Sequence, residues 1–215
     1  MIVTELVFVR HGQAQCNVDG VVGGPRTCTG LTELGRRQMT LAAARLAAAH
    51  EAEPFTHVYA GPRRRLQESG RILAGALNLP LIISNSLDGP VHGEADGKTW
   101  DEVKTAFRGG PHAHPDKPWA RSSDTWNGYL ELACTVLADL IREHRGARVL
   151  IAAHGETVLA AHTLLLDLRT GLMAGFTVDH ASITHWQLHR NRFDDERWML
   201  SRHNDTAHLA ELVSP

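Results

Sequence analysis

Short apolar runs rich in β-forming residues alternate with amphipathic helical stretches along most of this 215-residue chain, and no other feature restricts its fold so strongly. Leu6–Val9, His57–Ala60, Leu81–Ile83 and Val149–Ala153 read as strands, and Ile183–Leu188 and Arg197–Leu200 look like two more. Between them, Thr32 can cap a helix running to about His50, and Pro62 suits the first turn of a helix reaching about Leu77. Thr125–His144 carries Leu130, Ala133, Leu137 and Ile141 at helical spacing, and another helix follows Gly155 to about Leu168. Such alternation predicts an α/β fold with three α/β/α layers around a mainly parallel sheet. The stretch from about Ser86 to Trp126 breaks the pattern. It is rich in Gly, Pro and His, holds one short helix near Lys98–Phe107, and carries Trp100 and Phe107, which call for burial. We read it as a flap inserted over the carboxyl edge of the sheet. No linker divides the chain, so a single domain over 1–215 is expected.

Bulk charge narrows the partners. With 22 basic and 24 acidic residues the net charge is -2, which leaves no electrostatic footprint for nucleic acid or an anionic membrane. Any anion site must be a local cluster of Arg or His. The three cysteines, Cys16, Cys28 and Cys134, are odd in number and widely spaced, which is no disulfide framework. The N-terminus has neither a basic segment nor a long apolar core of the signal-peptide kind, and no run approaches the ~18 apolar residues of a membrane span. A soluble, cytoplasmic protein is the expectation, with a homodimer left open.

Ligands of open α/β sheets bind outside the carboxyl ends of the strands, and three such ends here carry unusual residues. The first strand runs into Arg10-His11-Gly12, the second into Gly61-Pro62 and then Arg63, Arg64 and Arg65, and the fourth into His154-Gly155. In a parallel sheet these ends share one edge, so two histidines and at least one arginine can converge. That set suits a phosphoryl group. Guanidinium forks match phosphate oxygens, and a neutral imidazole kept unprotonated by neighbouring positive charge is a competent nucleophile. Phosphoryl transfer needs mainly positioning and stabilisation of charge, so no metal or other cofactor is required by this reading.

These residues resemble a known family. Leu6-Val7-Phe8-Val9-Arg10-His11-Gly12-Gln13 followed by Asn17 is similar to the signature of the histidine phosphatase superfamily, in the branch that includes phosphoglycerate mutase. Leu31-Thr32-Glu33-Leu34-Gly35, the run from Tyr59 to Ser69, Ala152-Ala153-His154-Gly155 and Asn204–Leu209 look like later motifs of that branch, in the right order. The resemblance implies a phosphohistidine on His11, with Arg10, Arg65 and His154 holding the phosphoryl oxygens. It puts Asn17 and Gly23 beside the phosphate or substrate, and assigns the second arginine to Arg65, the sixth residue after Tyr59. Arg63 and Arg64 are then expected to be solvated helix residues. It also implies a carboxylic acid that protonates the leaving oxygen. Here the pattern departs. Leu87, Gly93 and Gly97 keep the family spacing, but Gly89 stands where the acid belongs. Asp88, Glu94 and Glu156 are the alternatives.

Other chemistries fit less well. The 14 histidines lack zinc-site spacing, since His154 and His162 are eight apart. No cysteine is followed six positions later by Arg, which removes the cysteine phosphatases, and no Walker or dinucleotide glycine pattern is present. Trp100 and Trp119 in the flap are candidates for substrate contact. The expected activity is metal-independent hydrolysis of a small-molecule phosphate ester. Two alternatives stay open: a mutase, although Arg108–Pro115 lacks the paired arginines of the mutase insertion, and a phosphate-binding module whose catalysis lapsed with Gly89.

Overall fold

A computed structural model describes residues 1–168 and 175–213. Its centre is a six-stranded sheet built from β1 (Ile2–Arg10), β2 (His57–Ala60), β3 (Leu81–Ile83), β4 (Arg148–Ala153), β5 (Ile183–Arg190) and β6 (Glu196–Asp205), in the order β3-β2-β4-β1-β5-β6. The first four in that order are parallel. The sheet is thus mainly parallel, as expected, with an antiparallel pair at one side: β5 runs antiparallel to β1 and β6 antiparallel to β5. Their turn is closed by Asn191, whose Oδ1 accepts the Phe193 and Asp195 amides at 2.8 and 3.1 Å.

Strand alternation sorts the core into two layers. Val7, Val9, Val58, Leu150 and Ala152 face one way, onto Met39, Ala42 and Leu46 of α2 (Glu33–Ala52) and Leu66, Leu73 and Leu77 of α3 (Arg64–Leu77). Leu6, Phe8, Val149, Ile151 and Trp186 face the other way, onto Leu130, Ala133 and Leu137 of α5 (Trp126–Glu143) and Val158 and Ala161 of α6 (Gly155–Leu165). The expected Thr32 cap forms, its Oγ1 accepting the Gly35 amide at 2.9 Å, and Thr125 lies just ahead of α5 as its cap, its Oγ1 accepting the Gly128 amide at 3.0 Å. Pro62 lies two residues ahead of α3 and not within its first turn, because Arg63 takes the N-cap position.

A third apolar cluster, Val22, Ala95, Val103 and Trp119, joins the loop after β1, which holds the single-turn helix α1 (Gln15–Val18), to the flap, whose helix α4 spans Trp100–Phe107. Trp119 is therefore core of the flap itself, with Trp100 half-buried against it. All three cysteines are free thiols. Among the described residues no helix is long and apolar enough to cross a membrane.

Candidate active site

Strand register delivers the expected residues to one edge. Arg10 closes β1 opposite Ala153 of β4, and the His11 amide then donates to the Ala153 carbonyl at 2.9 Å. His154 follows Ala153 as the N-cap residue of α6, while the turn after β2 starts α3 and brings Arg65 inward. Arg65 is the hub. Its Nε lies 3.3 Å from His11 Nε2, its Nη2 3.4 Å from His154 Nδ1, and its Nη1 donates to the Gly23 carbonyl at 2.7 Å. The two imidazoles meet edge to face, centroids 5.4 Å apart. Arg10 donates to the Val178 carbonyl at 2.5 Å. Two glycines let the chain just after His11 pack against the start of α2: a side chain on Gly12 would strike the Gly35 carbonyl, and one on Gly35 would strike that of Gln13.

The tautomer of His11 follows from its partners. Nδ1 sits 2.8 Å from the Gly12 carbonyl, which can only accept, so Nδ1 carries the hydrogen. Nε2 is then a lone pair facing the Arg65 guanidinium. Burial, with the charges of Arg65, His154 and Arg10, holds this imidazole well below its usual range. Burial together with Arg65 and Arg63 does the same to His154. Several positive side chains and two neutral rings thus line one buried spot, a charge balance that an anion would complete.

These depressed values tie stability to pH. Burial chiefly also lowers His92, His162 and His180, each to about 4. An unfolded chain takes up protons near pH 6.5 that the folded rings refuse, so stability is full above that pH and is lost as pH falls toward 4. A fully buried ring such as His11 costs about 1.4 kcal/mol per pH unit below its unfolded value. Urea unfolding between about pH 7.5 and 5 should therefore show a falling midpoint; a flat profile would contradict neutral burial of these rings.

The carboxylates divide sharply. Asp88 lies 2.8 Å from Arg63 Nε and accepts the Gly89 amide at 2.8 Å; it also comes within 3.4 Å of His154 Nε2, without hydrogen-bond alignment. The Glu94 side chain is 57% exposed and pairs with the exposed Arg121 at 3.6 Å. Glu156, in the first turn of α6, is half-buried and forms no ion pair among the described residues, yet its charge reaches Arg10, His92 and Tyr129. The expectation of a solvated Arg63 is corrected. Arg63 is 4% exposed and donates to the carbonyls of Gly23, Gly89 and Pro90 besides pairing with Asp88. It straps the flap to the start of α3. Arg64 is exposed and pairs with Glu68 at 2.9 Å, as expected.

Gly89 has a steric reason. A Cβ there would lie 2.8 Å from His154 Cδ2, so the family's acid cannot occupy this position without moving the ring. Gly89→Ala should lower kcat/KM by roughly 10–100-fold through displacement of His154. Steady-state kinetics alongside thermal unfolding would check this, and unchanged kinetics would show that the ring tolerates the contact.

Asn17 Oδ1 accepts the Ala14 amide at 3.0 Å and contacts His180 Nε2 at 3.1 Å. Gly23 approaches through its carbonyl, and a Cβ on it would collide with Cys16 Sγ. Arg63, His180 and His92, whose Nε2 lies 3.3 Å from Arg63 Nη1, were not legible as site residues in the sequence: each arrives from a loop whose path depends on tertiary contacts. Among the described residues no three His, Cys, Asp or Glu side chains gather in a way that could hold a metal ion.

Comparisons with known proteins bear on this geometry. The model of the histidine phosphatase superfamily (branch 1) matches residues 6–206. A metal-independent phosphoserine phosphatase of Arabidopsis thaliana is 24% identical over 215 residues, covering 98% of this chain and 85% of that protein. A 2,3-bisphosphoglycerate-dependent phosphoglycerate mutase of Methylobacterium sp. (strain 4-46) is 29% identical over 182 residues, covering 79% and 84%. The solved structure of a mycobacterial glucosyl-3-phosphoglycerate phosphatase with VO3 superposes with a TM-score of 0.78 at 22% identity, covering 93% of this chain and 98% of that one.

Proposed function

The chain belongs to the histidine phosphatase superfamily, branch 1, and from that premise we propose that it is a metal-independent phosphatase hydrolysing a small phosphate monoester through a phosphohistidine on His11. The observation that carries this reading is the state of His11: neutral, hydrogen on Nδ1, and Nε2 directed at Arg65. In the first step Nε2 attacks phosphorus while the bond to the leaving oxygen breaks. Arg10, Arg65 and His154 hold the phosphoryl oxygens, assisted by Asn17 and the Gly23 loop. Glu156 gives its proton to the leaving oxygen. In the second step water attacks the phosphohistidine, Glu156 takes the water's proton, and the N–P bond breaks to release inorganic phosphate. Glu156 is assigned this role because Asp88 is committed to Arg63 and Glu94 lies in solvent.

Phosphoserine and phosphoglycerates, named for the relatives, are the first substrates to try. Supplied with 3-phosphoglycerate, the protein should release inorganic phosphate. Formation of 2-phosphoglycerate instead would favour the mutase reading. Tight phosphate binding without turnover across a panel of esters and acyl phosphates would favour a binding module.

A further inference from the structure

Residues 178–180, shortly before β5, reach the site at two points. Val178 supplies the carbonyl that holds Arg10, and His180 lies against His11 with ring centroids 5.8 Å apart. Asp179 between them is clamped from β6: its amide donates to Asn204 Oδ1 at 2.6 Å, and Asn204 Nδ2 donates to Asp179 Oδ2 at 2.7 Å. Asn204 holds this pose with φ at 49°, a left-handed conformation that Asn tolerates better than most residues. Arg10 and Asn17 are therefore both held by one short strap.

The hydrogen-bond chemistry of that strap is determined by a single backbone amide. Ala14 N–H meets Asn17 Oδ1 at 3.0 Å, and a backbone amide can only donate, so the atom it meets is the side-chain oxygen. His180 Nε2 meets the same oxygen at 3.1 Å and must donate as well. The hydrogen of the neutral ring is thus on Nε2, and Nδ1 is a bare lone pair. Burial and the Arg10 guanidinium lower His180 to about 4, against the opposing Asp179, and protonation would leave the Nε2 hydrogen in place. With its oxygen taken twice, Asn17 keeps its NH2 uncommitted among the described residues.

We propose that His180 is a positioning residue of the phosphoryl site: its Nε2–H holds the Asn17 oxygen so that the Asn17 NH2 is turned toward a phosphoryl group on His11. This rests on the phosphatase reading above, and its test separates the two. Long-range nitrogen–proton correlation on protein with labelled histidine, near neutral pH, reads the tautomer with no turnover needed. Hydrogen on Nε2 of His180 is expected, and hydrogen on Nδ1 with Nε2 bare would overturn the proposal. His180→Leu should weaken inorganic phosphate binding and lower kcat/KM by roughly tenfold, the scale of one hydrogen bond to a charged group. His180→Gln, which retains an N–H donor, should recover most of that loss. In an Asn17→Ala background, His180→Leu should add less than about twofold, since both changes remove the same contact. Additive losses in folded variants, or no loss, would overturn the proposal. Absence of phosphate release by the wild-type protein would count against the phosphatase reading alone, because tautomer and phosphate binding still decide the role of His180.

Discussion

His11→Ala is expected to abolish turnover, lowering phosphate release by on the order of 10⁴–10⁶-fold, the scale on which an enzyme working through a covalent intermediate loses rate with its nucleophile. The change removes Nε2 and leaves Arg10, Arg65 and His154 in place, so binding and chemistry should separate. Inorganic phosphate, measured by calorimetry, should bind within a few-fold of wild type, because the guanidinium donors carry most of the attraction for a doubly charged anion. Wild-type protein quenched rapidly during turnover should carry one phosphoryl group that acid releases and alkali does not, as a phosphoramidate requires; the variant should carry none. The low proton affinity of His11 adds a second signature. Because its Nε2 is free well below the usual imidazole range, the acid-side fall of kcat/KM that reports nucleophile protonation should lie below pH 6.5. Turnover of His11→Ala at the wild-type rate would remove the nucleophile, and with it the phosphohistidine mechanism.

What the sequence made legible was local. Strand β2 and strand β3 begin and end where their apolar runs do, and Thr32 caps the helix its position announces. His11, Arg65 and His154 were legible because each stands immediately after a strand or in the following helical turn, and a parallel sheet stacks those points at one edge. Properties set by distant segments were not. The direction of β5 shows in its pairing with β1 and β6, which no residue in the strand encodes. Arg63 sits in a run of three arginines with nothing in the sequence to tell it from Arg64, and distant partners, the carbonyls of residues 23, 89 and 90 and the Asp88 carboxylate, select it for burial. His180 is one of 14 histidines, and nothing near it in the chain marks its contact with Asn17. The missing acid at Gly89 was visible, whereas its cause, the His154 ring against that Cα, belongs to the packed structure.

The carboxylate that replaces that acid has a measurable signature. Glu156→Gln should lower kcat/KM for an alkyl phosphate by about 10²–10⁴-fold, the usual worth of general acid–base catalysis. With an aryl phosphate whose leaving phenol is already acidic, the first step needs little protonation, and the loss in kcat/KM, which reports that step, should shrink to about tenfold or less. A burst of the phenol before slow phosphate release should then appear, since the second step still lacks a base for the attacking water. Asp88→Asn makes the opposite pattern. It frees Arg63, which is buried and gains nothing in exchange for the lost ion pair, so it should lower the unfolding midpoint and slow both esters by a similar factor. Glu94→Gln, at an exposed position, should leave both rates unchanged. The leaving-group dependence is what distinguishes the roles: a residue that only shapes the pocket slows good and poor leaving groups alike, and a proton donor slows the poor one far more. Leaving-group selectivity at Asp88 with none at Glu156 would move the acid to the flap, and would mean that the Arg63–Asp88 pair opens when substrate binds.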